Sequence, residues 1–247
     1  MSFVSSLYTE LIWRPLFNGL VLSYTILPIH DLGFAIILFT AAIRLLMAPL
    51  MWRGQKAQNA MARLQPELGR IKAQYKNDRE GFSRATMELY ARHKVNPFSG
   101  CLTLLVQLPI LIALFSVFRD GFNPDHARYL YTFVANPGVI NPITFLGLDL
   151  SKGSLALGVV AALTQYFATK VTIMPQPAPG PDAPNDFSRI FQQQALYLLP
   201  VIILIWSRSL PAALTLYWTV LNLFGIVQGV IMKKNGADGA QSAPALL

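Results

Sequence analysis

Arg44 stands inside an apolar run long enough to cross a bilayer, Gly33–Leu50 (GFAIILFTAAIRLLMAPL). From Asp31 to Arg53 a helix covers about 33 Å, against a hydrocarbon core of about 30 Å. On the same rise Arg44 is roughly 14 Å from the nearer flank, too deep to snorkel easily. A charge at that depth costs roughly 2.5 kcal/mol or more and by default marks a functional site. A carboxylate would normally offset it, but the apolar interiors of the other runs hold no Asp or Glu. The guanidinium therefore needs water, carbonyls, amides or hydroxyls around it. That predicts a wet, positively charged recess within the membrane.

Composition agrees with a membrane chain. Of 247 residues, 53% are hydrophobic and 13% charged, where a soluble domain carries about 25% charged residues. Mean hydropathy is +0.43. The formal net charge is +8 and unevenly placed. One cysteine, Cys101, excludes an intrachain disulfide framework and a Cys-rich metal site. There is no internal repeat and no matched pair of broken helices of the transporter kind.

Residues 3–28, within an expected extracytoplasmic segment 1–30, are apolar but interrupted by Glu10, Arg14, Asn18 and Pro28. Met1–Glu10 has no Lys or Arg and no small-residue cleavage pattern follows, unlike a signal peptide. Leu7–Leu27 reads as an amphipathic helix lying at the outer interface, with Tyr8, Trp13 and Tyr24 as anchors. The alternative is an additional span. The core, residues 31–234, carries five expected spans at about 31–51, 98–118, 154–174, 190–206 and 212–232. Pro49 should bend the first rather than break it.

Between the first two spans lies a helix-forming block, Trp52–Asn96, with ten Lys and Arg against four Asp and Glu. Apolar residues recur at helical spacing on either side of a break at Asn77-Asp78 and Gly81. The block reads as a helical hairpin, cytoplasmic by its positive charge. Arg63, Arg70, Lys72, Lys76, Arg79 and Arg84 either set topology alone or form a surface for acidic partners such as ribosomal RNA or anionic lipid. The loop 119–153 has no net charge and many turn signals, as expected outside. PQPAPGPDAPND (175–186) reads as a mobile cytoplasmic linker, and the tail 235–247 as disordered. Lys170 and Lys233-Lys234 place their span ends inside, giving an outside amino terminus and an inside carboxyl terminus.

Uncharged polar residues recur on the spans. Thr40 and Arg44 share a helix face, as do Thr103 and Gln107. Thr164 and Gln165 lie within the third span. Thr215, Thr219 and Asn222 follow helical spacing on the fifth, beside Tyr217 and Trp218. Such groups can solvate a guanidinium without neutralising it. Taken singly, each reads as an interhelical hydrogen bond worth about 0.6 kcal/mol. Taken as a set, they read as the lining of the recess. Trp218 fits a core, belt or lining position.

No phosphate-binding loop, H-E-x-x-H motif or intramembrane Asp pair is present, so the sequence points to no enzyme, cofactor or small-molecule substrate. A recess with a cation suits transient binding of a polar segment. Two rivals stand beside that reading. One is an anion channel or transporter using Arg44 as its selectivity charge. The other is a structural assembly factor in which Arg44 only holds helices together.

Three stretches, TAAIRLLMAPL, LYARHKVNPFSGCLTLLVQLPILIALF and SLPAALTLYWTVLNLFGIVQ, resemble the YidC insertase family over about residues 28–234. The resemblance implies an all-α, five-helix core with a hydrophilic groove open to lipid and cytoplasm. It implies insertion of nascent membrane proteins into the lipid bilayer of the bacterial plasma membrane, alone or with the Sec translocon, with ribosome contact and no DNA. By the same resemblance Arg44 is the groove arginine, Thr40 its polar neighbour, and Tyr217 and Trp218 the aromatic pair. Gln165 falls near the groove-lining position of the third span. This sequence shows no large extracytoplasmic domain, no lipoprotein cysteine and no long basic tail.

Overall fold

A computed structural model describes residues 3–76, 78–96, 99–119, 124–142, 145–172 and 187–241. It is all-α, with no strand among those residues. The helices are α1 (Phe3–Tyr8), α2 (Arg14–Ile26), α3 (Leu32–Arg63), α4 (Gln65–Gln74), α5 (Arg79–Arg92), α6 (Ser99–Arg119), α7 (Leu155–Thr172), α8 (Phe187–Trp206) and α9 (Ala212–Gln241). Three helical stretches are long and apolar enough to cross a membrane: Leu32–Arg63, Leu155–Thr172 and Ala212–Met232. Leu105–Arg119 of α6 and Gln194–Trp206 of α8 are apolar as well. The proline-rich stretch 175–186 lies outside the described residues, as does the tail beyond Gln241.

The chain forms two compact units. The first comprises Met1–Leu45, Pro109–Thr172 and Gln194–Leu247. Its core gathers at one end, where α3, α7 and α9 all begin. Leu20, Ile36, Leu114 and Leu150 are completely buried there. A π-helical turn, Thr9–Trp13, joins α1 to α2. Trp13 and Tyr24, expected as interfacial anchors, are instead buried in this core. The reason is the loop after α6, which the turn signals disguised as simple connection. It folds back as a cap: His126 and Tyr129 pack edge-on against Trp13, and Val134, Ile140, Phe145 and Leu150 join the same core.

Buried Asn18 holds the cap to α2. Its Nδ2 donates to the Tyr129 carbonyl (2.9 Å), and its Oδ1 accepts from the Tyr131 N–H (2.7 Å). Arg14 Nε donates to the same carbonyl (2.9 Å), and Trp13 Nε1 donates to Ser116 Oγ on α6 (2.9 Å). At the start of α3, Gly33 lies against the Phe145 ring, so close that a Cβ would fall inside it. Backbone bonds then tie the cap to α9: Ala212 N–H to the Lys152 carbonyl (2.8 Å) and Ala213 N–H to that of Leu150 (2.9 Å). Asp149 braces this segment. Hydrogen bonds from Ser151, then the Lys152 ammonium, hold its carboxyl down at about 2.

The second unit comprises Leu46–Leu108 and Ile173–Gln193. The end of α3, with Pro49 inside the helix, leads into α4 through a kink at Leu64, and α4 packs on α5. The break falls where expected: Asp78 caps α5, its Oδ1 accepting from the Gly81 N–H (2.8 Å). Leu64 and Leu89 are the buried apolar residues of the hairpin. α3 reaches Arg63 as one helix, so no loop separates the first apolar run from the hairpin's first arm. At the other end of the chain, α9 continues nine residues past Met232, where its apolar run stops.

Candidate functional site

Arg44 sits twelve residues past Leu32, so about 18 Å along α3 from its capped end. α9 starts at the same end. The two helices meet where Arg44 Nη2 donates to the Leu221 carbonyl (3.3 Å). A helical carbonyl normally receives the N–H four residues on, and the residue at that position leans its side chain back over it. Here that residue is Gly225, and a Cβ there would meet no atom within 4 Å among the described residues. A bare flank thus leaves the Leu221 oxygen open to the guanidinium. Tyr217, one turn nearer the cap, is buried and within electrostatic range of Arg44.

The remaining expected lining residues divide among three places. Thr40 is completely buried one turn above Arg44, and its hydroxyl donates to its own helix at the Ile36 carbonyl (2.6 Å). Gln165, Trp218 and Asn222 lie on the seam between α7 and α9. Trp218 Nε1 donates to Gln165 Oε1 (3.0 Å), and Gln165 Nε2 donates to Thr169 Oγ1 (2.9 Å). Asn222 Nδ2 makes longer contacts to Thr164 Oγ1 (3.4 Å) and the Ala161 carbonyl (3.5 Å). Below them Gly229 lets Val171 approach so closely that no Cβ would fit. Helix pairing therefore engages these three side chains, whereas Tyr217 and the Leu221 carbonyl face Arg44. Gln107 is partly buried in the second unit. The side chain of Thr103 lies outside the described residues.

Two contributors were missed from sequence. Thr169 is the i+4 neighbour of Gln165 and was legible as its partner. The Leu221 carbonyl carries no side-chain signal; only Gly225 four residues later marks it.

On the hairpin, Arg63, Arg70, Lys76, Arg79 and Arg84 are exposed and Lys72 is partly buried. Arg84 pairs with Glu80 (2.9 Å) and Arg92 with Glu88 (3.0 Å), both along one helix face in solvent. Such pairs contribute about 0.3–0.5 kcal/mol each. Tyr90 turns inward, and burial pushes its phenol up.

The family model described as 60Kd inner membrane protein matches residues 24–239. The chain belongs to the YidC family. Curated members named "Membrane protein insertase YidC" align over most of it. That of Fusobacterium nucleatum is 33% identical over 90% of this chain and 95% of its own length. Those of Anaeromyxobacter sp. (strain Fw109-5) and Magnetococcus marinus are 35% and 34% identical, over 82% and 87% of this chain. The chain spans only 32% and 34% of those two proteins. The match covers both α3 with Arg44 and the whole apolar part of α9, so both partners of the Arg44–Leu221 contact lie within the matched region.

Proposed function

We propose that this YidC-family chain is a membrane protein insertase. It receives apolar segments of nascent membrane proteins beside Arg44 and passes them into the lipid bilayer. The observation that carries the reading is a guanidinium on the middle of an apolar helix, partly buried and donated to a backbone carbonyl. Such a group lowers the cost of carrying a polar or acidic stretch into the apolar region without forming a permanent pair. The curated relatives named as insertases support the same reading.

In this account α3, α6, α7, α8 and α9 supply five spans of a bacterial plasma membrane protein. The cap lies outside, and the carboxyl terminus and hairpin lie inside. The hairpin's exposed cations face the ribosome, and the chain acts alone or beside the Sec translocon. It is a binding and release device, not an enzyme. A channel would need a path through the capped end, where Leu20, Ile36, Leu114 and Leu150 are buried together.

The test is insertion of a single-span client with a short acidic tail into vesicles carrying the purified protein. Arg44→Ala should fold, with unchanged abundance and melting temperature, yet insert poorly. Arg44→Lys should retain most activity, since the charge matters more than the fork geometry. Normal insertion by a stable Arg44→Ala protein would overturn the proposal. Loss of abundance alone would return Arg44 to a structural role.

A further inference from the structure

Gln228 lies on the face of α9 that carries Tyr217 and Leu221, at spacings of eleven and seven residues. Its amide nitrogen is buried and makes no hydrogen bond. A buried donor left unpaired costs about 1–3 kcal/mol, so it stands out in a helix where the Thr219 hydroxyl bonds its own backbone. Gly225 lies between Leu221 and Gln228 on that surface, with no atom within 4 Å of where its Cβ would stand among the described residues. An open flank is thus bounded on one side by the Arg44–Leu221 contact and on the other by an unused amide. The two lie about 10 Å apart along the helix.

The unused polar atom here is a donor, the Gln228 amide nitrogen. The fitting occupant presents acceptors. A chain entering the membrane before it is helical does so, because its carbonyls have lost water and have not found their own N–H groups. Three residues of extended chain cover about 10 Å.

We propose that Gln228 is a second client-contacting residue, donating its amide N–H to a backbone carbonyl of the incoming chain, which lies along the bare flank at Gly225. This rests on the insertase reading above. The probe is a ribosome-stalled single-span nascent chain, presented to the full-length protein in vesicles. A photo-crosslinker at position 228 should capture it several-fold better than one at Leu223, which is exposed on another face of α9. Gln228→Leu, and separately Gly225→Leu, should lower insertion roughly threefold to tenfold, the range expected for one hydrogen bond, without any loss in melting temperature.

Equal crosslinking from 228 and 223, or adducts to lipid alone, would overturn the proposal even if a variant failed to fold. So would wild-type insertion by a folded Gln228→Leu protein, the mark of a merely unsatisfied amide. In either case impaired insertion by Arg44→Ala would leave the insertase reading intact. A wild-type protein that inserts nothing would remove both.

Discussion

Asn18 illustrates how much one side chain can organise. Its amide joins the N–H and carbonyl on either side of Leu130, pinning the cap to α2 as a neighbouring strand would. Asn18→Leu strips the Tyr131 N–H of its partner and leaves the Tyr129 carbonyl to Arg14 alone, at a cost of about 1–3 kcal/mol. Thermal unfolding in detergent should show a melting temperature several degrees lower, and an unchanged one would mean the cap is held elsewhere. Nothing in the sequence singled out Asn18 beyond its interruption of an apolar run, because its partners are backbone atoms more than a hundred residues away. Arg44 was legible for the opposite reason: a charge in an apolar run is conspicuous wherever its partners lie.

Asp149 adds a pH dependence at the same scale. Its folded value, about 2, lies below the ordinary 3.8. Its stabilising contribution is therefore complete above the ordinary value and disappears as pH falls through the folded one. Between about pH 5 and pH 2 the wild-type melting temperature should fall. Asp149→Asn should start lower and change less. Parallel curves for the two proteins would show that the Ser151 and Lys152 contacts do not brace the cap.

Among elements, the α7–α9 pair shows what periodicity could and could not reveal. Both helices and their approximate spans followed from apolar length. Their packing did not, because Trp218, Gln165 and Asn222 look alike in sequence whether they bond each other or line a recess. The glycines on α9 separate the two surfaces. Gly229→Leu collides with Val171 and should destabilise by about 1–3 kcal/mol. Gly225→Ala meets nothing and should stabilise by about 0.5–1 kcal/mol through helix propensity. Melting temperatures moving in the same direction would contradict this division of the α9 surface. The cap was the element least legible beforehand: turn signals announced a loop, and its apolar residues gave no periodicity to show that they would pack on α2 and α3.

Over the whole molecule, an apolar cap closes one end of the first unit, and a partly buried cation stands some 18 Å along α3 from it. Beside that cation α9 has a bare flank. The central claim is that this flank is wet from the cytoplasm and is where a client lies. The direct measurement is thiol labelling of Gly225→Cys in a Cys101→Ser background, using a membrane-impermeant reagent on vesicles of known sidedness. Reagent on the cytoplasmic side should modify position 225, reagent outside should not, and a stalled nascent chain should slow the reaction. A cysteine at 225 that stays unmodified from the cytoplasm in folded protein, or that reacts equally with and without the nascent chain, would contradict the account.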